Sequence, residues 1–313
     1  MTRVLGLLAV LFGLGALVPA AAPAVVIGIG DQKADMFRDP LFAGSAIRHA
    51  RLAVSWDALH HPWQVRELDR WLAGAREAGV EPLVGFWHSR TDRRKLPTPE
   101  QLKWEFRRLR ARHPWVRTFA TWNEANHCGE PTCHRPRLVA AYWRALRREC
   151  RTCTILAAEV LDMPNMAGWV RAFRRHARVE PKIWGLHNYI DANRFRTSGT
   201  RALLRSTRGH VWFTETGGIV KRRTKVRVPL AESSRHAARA TRWVFDRLVP
   251  LSRRVKRVYL YHWNPKGRRP SWDSALLDRR GRPRPAFLVL RRQLRVLAAR
   301  RAAAARERAR AAS

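Results

Sequence analysis

Short apolar runs alternate along this chain with longer stretches in which apolar residues recur at helical spacing. Eight runs read as strands: Val25–Gly30, Ala50–Trp56, Glu81–His88, Val116–Glu124, Thr154–Val160, Lys182–Tyr189, His210–Glu215 and Val255–Asn264. Each is rich in β-branched and aromatic residues and partly continuous in apolar character, as in parallel strands buried on both faces. Between them, Trp63–Ala78 carries Val65, Leu68, Trp71, Leu72 and Ala75 on one helical face, and Gly79 follows as a stop. Pro99–His113 opens on Thr98-Pro99-Glu100, and proline is tolerated in a first helical turn. Arg137–Arg148, Pro164–Ala177 and Ser233–Val249 follow the same form; Thr200–Thr207 is shorter, and Ala286–Ala299 completes the series. Strand and helix alternating through about 275 residues predict an α/β fold, a single-domain (β/α)8 TIM barrel over residues 25–299. A doubly wound open sheet is the alternative, but it usually has fewer strands, and no glycine-rich dinucleotide loop follows the first one.

The ends of the chain differ from its body. Residues 1–24 read as a secretory signal: Arg3 supplies a positive start, Val4 to Val18 is uncharged and apolar, and Ala20-Ala21-Ala22 and Ala22-Pro23-Ala24 offer small-residue cleavage sites. The apolar run is short for a bilayer span, which takes about 20 residues. The expected location is therefore secreted, or membrane-anchored should the signal stay uncleaved. Residues 300–313 are almost all alanine and arginine, a basic tail that either extends the last helix or frays.

Export changes the reading of the cysteines. Cys128, Cys133, Cys150 and Cys153 fall in one short stretch, and an even number suits disulfides in an oxidising compartment. Local pairs, Cys128–Cys133 and Cys150–Cys153, are expected, and the first would pin the loop after Glu124. Zinc held by Cys128 and Cys133 with His127 and His134 is a rival whose spacing matches no common motif. A redox pair at Cys150-Arg151-Thr152-Cys153 lacks a thioredoxin-like setting.

Charge is the oddest bulk property. Lys and Arg number 62 against 24 Asp and Glu, a formal +38. A polyanionic partner would explain it: a nucleic acid, an acidic glycan or an anionic surface. Arginines placed simply on solvated helix faces would explain it too, because they are spread along the sequence rather than gathered in a block. No zinc-finger, RNA-recognition or Walker signature accompanies them, so no specific nucleic acid is expected as a partner.

Two runs carry candidate chemistry: Thr121-Trp122-Asn123-Glu124 and, 91 residues after Glu124, Glu215 in Phe213-Thr214-Glu215-Thr216-Gly217. Each sets a carboxylate at the end of a strand-like run, and a barrel gathers strand ends around one mouth. Glycoside hydrolysis needs such a pair, one carboxyl to protonate the leaving oxygen and one to attack or act as base.

Trp122-Asn123-Glu124 closing the fourth strand and Thr214-Glu215 closing the seventh resemble the signature of the clan A glycoside hydrolases, with families 5 and 39 nearest. The resemblance spans the whole barrel. It implies Glu124 as acid/base, Glu215 as nucleophile, and Asn123 as a hydrogen-bond partner of the sugar 2-hydroxyl. It further implies Arg51 beside the nucleophile, with Tyr189 bonded to Glu215 and His187 tuning Glu124. Trp263 would floor the cleavage subsite, and His88, closing the third strand, is a further candidate for sugar contact. A poly- or oligosaccharide is then the expected substrate, cleaved with retention by a monomer that needs no metal or organic cofactor. The basic surface would be free to meet an anionic cell surface. A non-catalytic glycan-binding barrel, a polyanion binder and a transglycosylase are the competing functions. Among the 14 tryptophans, Trp56, Trp87 and Trp272 lie near strand ends or active-face loops and are candidates to line a glycan cleft.

Overall fold

The structure, a computed structural model, describes residues 25–223, 229–265, 267 and 270–312. The expected signal at 1–24 lies outside the described residues. Nine strands form one parallel sheet: β1 Val26–Gly30, β2 His49–Ser55, β3 Glu81–Trp87, β4 Thr118–Ala120, β5 Thr154–Leu156, β6 Glu159–Leu161, β7 Ile183–His187, β8 His210–Thr216 and, after a two-residue strand β9 (Lys221–Arg222), β10 Val255–Tyr261. Neighbours run β5-β4-β3-β2-β1-β10-β8-β7-β6.

The two ends of that list are one strand. The predicted run Thr154–Val160 breaks at Ala157 and Ala158 into β5 and β6. Ala157 N donates to Ile183 O and Gly185 N to Ala158 O, both at 2.9 Å, which ties this strand to β7 and closes the ring. The fold is thus the predicted eight-stranded barrel, its fifth strand kinked. The break lets Glu159 N reach Trp122 O at 3.0 Å, so β6 continues beside the end of the predicted fourth strand.

Helices cover the outside: α1 Pro40–Ala43, α2 Pro62–Glu77, α3 Pro99–Arg112, α4 Pro136–Glu149, α5 Met166–Ala177, α6 Tyr189–Asn193, α7 Ser198–Ser206, α8 Ser234–Trp243 and α9 Pro285–Ala312. The start of α3 is a capping box in which Thr98 Oγ1 accepts from Gln101 N and Gln101 Oε1 accepts from Thr98 N. The predicted helix Ser233–Val249 is divided. After α8 the backbone widens into a π turn over Val244–Leu248 and then tightens over Val249–Leu251, where Pro250 has no N–H to continue the ladder. The tail does not fray; α9 carries on through it as one helix. A last short strand, β11 Trp272–Asp273, pairs antiparallel with β9 and joins the loops that follow β8 and β10.

Apolar burial is divided between two places. Most lies between strands and helices. A separate cluster, Leu83, Ala120, Leu156, Trp212 and Tyr259, comes from strands alone and fills the lumen. Glycines make room there for large neighbours. A Cβ at Gly85 would stand 2.8 Å from Glu159 Oε2, and one at Gly185 would stand 2.7 Å from Glu159 Cγ and 2.8 Å from Thr214 Oγ1. Glu159 therefore occupies space that two strands leave by carrying no side chain. Gly185→Ala is expected to lower stability by about 1–3 kcal/mol through overpacking; a urea midpoint equal to that of the parent would show that the lumen has slack.

Candidate active site

Glu124 and Glu215 meet at the carboxyl end of the barrel, the end where strands from distant parts of the chain converge. One carboxylate oxygen of each and a ring nitrogen of His187 all lie within 4.8 Å of one another. Glu215 belongs to β8, the seventh strand of the ring. Glu124 stands just past β4 with φ 47°, a left-handed backbone that non-glycine residues seldom adopt and that recurs at functional sites. The turn around it is held from outside: Asn123 N donates to Phe86 O at 2.7 Å and Ala125 N to Glu159 O at 2.9 Å.

Arg51 is the hub beneath the pair. It is 1% exposed. Its Nε and Nη2 each donate to one oxygen of Glu159 at 2.6 Å, Nη1 donates to Glu215 Oε2 at 2.9 Å, and Nη2 also donates to Asn123 Oδ1 at 2.5 Å. Tyr189 Oη donates to the other oxygen of Glu215 at 3.1 Å. His187, fully buried, sets Nδ1 3.2 Å from Glu124 Oε1, with Nε2 3.9 Å from Glu159 Oε1. His88 holds both oxygens of Glu130 at 2.9 Å through Nδ1, and Glu130 also accepts from Trp87 Nε1 at 3.0 Å and Arg93 Nη2 at 3.2 Å.

Trp263 is a correction. It is 0% exposed, packed edge-on against Phe42 and Phe287 at 5.3 and 5.8 Å, with Nε1 donating to Asp39. It is core and floors no subsite. The ladder of β10 ends at Tyr261, so side-chain alternation no longer governs position 263; Asp31 Oδ2 accepts from Trp263 N at 2.9 Å and draws the chain inward. Tyr261 and Trp272 face the opening in its place. They line a groove of about 1200 Å³ together with Trp87, His88, Ser89 and His262. The groove runs on along α2 past Gln64, Glu67 and Gly74, and neither Glu124 nor Glu215 lines it; Trp272, at its edge, meets Tyr189 edge-on at 4.9 Å. Trp56 is buried, with Nε1 donating to Lys95 O.

Sequence reading missed Glu159, Glu130 and Tyr261. A carboxylate inside an apolar strand was the available signal for Glu159, the same signal that singled out Arg51. Nothing in the local sequence marks Glu130, whose partners lie 37 to 43 residues away.

Charge is finely balanced, with three carboxylates facing Arg51 and His187. Burial pushes Glu159 up, but the Arg51 charge and hydrogen bonds, with the His187 ring 3.9 Å away, outweigh it and hold the carboxyl down at about 2. Burial disfavours a charged His187, yet Glu215, Glu124 and Glu159 together raise it to about 9. Glu124 is pushed up by burial and pulled further down by His187, so it falls below the ordinary carboxylate range. Glu215 rises, first through burial and then through the charges of Glu124 and Glu159, against the pull of His187 and Arg51. These charges favour a proton on His187, beside Glu124.

His187 carries a pH prediction. Its folded value lies above the ordinary 6.5, so its stabilisation is complete below pH 6.5 and is lost as pH rises through about 9. His187→Asn should be less stable than the parent by on the order of 2–3 kcal/mol at pH 6, with the gap closing towards pH 10. Thermal melts across that range read it; a gap independent of pH would mean that the histidine stays neutral.

The cysteine sulfurs stand at bonding distance in the two expected local pairs, 2.00 Å for Cys128–Cys133 and 2.08 Å for Cys150–Cys153. The first closes the loop that follows Glu124, and its thiols are thereby unavailable to a metal. Glu124, His187 and Glu215 have metal-ligand atom types at suitable separation, but the guanidinium of Arg51 already supplies fixed positive charge against Glu215.

No protein-family model matches the sequence, and no curated protein matches it. Solved structures do. A family 39 glycoside hydrolase from the gut symbiont Bacteroides cellulosilyticus WH2 superposes with a TM-score of 0.57 at 13% identity, over 87% of this chain and 63% of that one. An endo-1,4-beta-xylanase from Caldicellulosiruptor owensensis gives 0.61 at 13% identity, over 86% of this chain and 96% of that one. A beta-glucuronidase from an uncultured Clostridium sp. gives 0.58 at 13% identity, over 87% and 50%. This chain therefore spans less than two thirds of the first and half of the third. Likeness at such identity is likeness of fold, and the fold of this chain is the parallel (β/α)8 barrel that these structures share.

Proposed function

We propose that the protein is a secreted glycosidase that cleaves O-glycosidic bonds of a poly- or oligosaccharide with retention of configuration. The observation that carries this reading is the pair Glu124 and Glu215, carboxylate oxygens within 4.8 Å of each other at the ends of the fourth and seventh barrel strands. Retaining enzymes set their two carboxyls about 5–5.5 Å apart, whereas inverting ones leave about 6.5–9.5 Å for a water.

Glu215 attacks the anomeric carbon while Glu124 gives its proton to the departing glycosidic oxygen, and the C–O bond breaks. Glu124 then takes a proton from water, the water oxygen attacks the same carbon, and the ester to Glu215 is released. Hydrogen bonding favours this division of roles. Arg51 Nη1 and Tyr189 Oη both donate to Glu215, which steadies a carboxylate that must attack. Glu124 instead touches His187 Nδ1 at 3.2 Å, and the proton it delivers must arrive with the substrate or from water, because His187 binds its own more tightly. The proton bias between the two carboxyls, Glu215 raised and Glu124 lowered, runs opposite to these roles and must be reversed when a sugar binds. With Asn123 Oδ1 bonded to Arg51, its amide nitrogen is the group left for the sugar 2-hydroxyl. Trp272, Tyr261 and Trp87 offer flat faces to sugar C–H surfaces.

Export is supported by the apolar run Val4–Val18 and by the paired cysteines. Among the described residues no helix is long and apolar enough to cross a membrane. The test is release of reducing ends from a broad glycan panel by the parent beside Glu124→Gln and Glu215→Gln. Activity on one glycan, lost in both variants, supports the proposal; binding without turnover would replace it with a glycan-binding barrel.

A further inference from the structure

The barrel has two ends, and its loop acids stand almost all at one of them. Loops that lead from a strand to the next helix lie at the carboxyl end, around Glu124 and Glu215. They hold many of the acids, among them Asp31, Asp57, Asp92, Asp162 and Asp273, mixed with cations such as Arg90, Arg93, Arg135, Arg279 and Arg280. Loops that lead from a helix back to a strand lie at the opposite end. Each of these except the α2–β3 turn carries an exposed arginine: Arg48, Arg117, Arg151, Arg178, Arg208 and Arg253. Their one acid, Glu180, is bridged to Arg174 at 2.7 Å.

Helix dipoles do not account for this sorting. Cations do favour helix C-termini, but anions should then favour N-termini. The helices α2, α4, α5, α7 and α8 have no acid in their first turn. The face away from the cleft is thus left with arginines and almost no loop acids, whereas the cleft side mixes both signs.

Three further features share that face. The helix α9 runs back along the barrel, and its arginine-rich end, 300–312, emerges there. A groove of about 460 Å³ opens between α9 and the starts of β1 and β2, with Val26, Ile27, Leu41, Phe287, Leu290 and Leu294 inside. Arg48, Arg291, Arg295 and Arg301 stand around it. Leu41 is 37% exposed although it lines an apolar groove. The described chain begins at Val25, immediately before β1, so the sequence containing the apolar run Val4–Val18 joins the barrel at this face.

We propose that this face docks on an anionic phospholipid bilayer and holds the cleft pointing away from the membrane. Arginines across the face meet lipid phosphates, and the apolar groove accepts part of an acyl chain. An acidic polymer would satisfy the arginines but leave the groove without a partner, which is why a bilayer fits better. The inference does not rest on the glycosidase reading.

The experiment is sedimentation of the full chain with vesicles of phosphatidylcholine, with and without phosphatidylglycerol, over a range of salt. Two variants of equal net charge are compared. One carries glutamine at positions 48, 117, 151, 178, 208 and 253. The other carries glutamine in place of Arg66, Arg135, Arg137, Arg235, Arg279 and Arg280, exposed residues of the cleft side. Circular dichroism confirms that both are folded. The parent and the second variant should bind only the phosphatidylglycerol vesicles, and less as salt rises; the first variant should bind at least about tenfold more weakly. The proposal is overturned by absence of parent binding, by equal loss in the two variants, or by full binding in the first.

Discussion

Glu215→Ala is expected to leave less than about 10⁻⁴ of the parent activity, since groups that act as one catalytic unit cost on the order of 10⁴-fold or more when removed singly. The reason is local. In the proposed mechanism the carboxylate held by Arg51 Nη1 and Tyr189 Oη is the atom group that bonds to the anomeric carbon, and no other described carboxylate is so held. Glu124→Ala should lose less, about 10² to 10⁴-fold, because an activated leaving group can depart without a proton. The decisive measurement adds azide to each variant on an aryl glycoside of the sugar found in the panel. With Glu124 missing, azide should attack the glycosyl-enzyme and give a product of retained configuration. With Glu215 missing, azide should take the place of the nucleophile and give inverted product. The reverse assignment of products would exchange the two roles. That outcome would also agree with the proton bias between the two carboxyls, in which Glu215 rises and Glu124 falls.

Arg51→Met should cost about 3–5 kcal/mol of stability, the usual consequence of leaving a buried charge without its partner. Glu159 is fully buried, and Arg51 donates to both of its oxygens. Removing the guanidinium also strips Glu215 of its charged donor and Asn123 of its contact, so folding and turnover fall together. The double variant Arg51→Met/Glu159→Gln separates the two. It removes both charges, and it should regain a large part of the stability while turnover stays low. Chemical denaturation gives the first quantity and rate assays the second. If the double variant were as unstable as the single one, the loss would come from packing of the arginine stem.

Glu159 itself gives the pH dependence on the acid side. Its folded value of about 2 lies below the ordinary 4.5, so its contribution is present above pH 4.5 and disappears as pH falls towards 2. The parent should therefore weaken through that window, and Arg51→Met should weaken less.

Much of the fold could be read from the sequence, and the physical reason is periodicity. Eight apolar runs with helical stretches between them admit few closed arrangements, and the parallel barrel is the one in which every strand is buried on both faces. The run Thr98-Pro99-Glu100 placed the start of α3 closely. Glu124 and Glu215 were legible because they end strands, and strand ends converge in a barrel. Where a local pattern stopped, so did the reading. Trp263 lies two residues beyond the last ladder residue of β10, so its direction is set by Asp31 rather than by alternation. The kink at Ala157 and Ala158, which turns Glu159 into the lumen, depends on the bonds those residues make to β7.

Charge shows most clearly what each level decided. By itself the sequence determined the amount of it, +38, along with the order of strands and helices and the two carboxylates. Only the tertiary structure decided where the charge stands. Arg51 looks like one arginine among many, yet the barrel buries it where its three nitrogens donate to four oxygens of Glu159, Glu215 and Asn123. Arg48, Arg117, Arg151, Arg178, Arg208 and Arg253 are far apart in the chain, and the repeated return of helix to strand brings them to one face. Composition is a sum over residues, whereas a field has direction, and direction exists only once the chain has closed on itself.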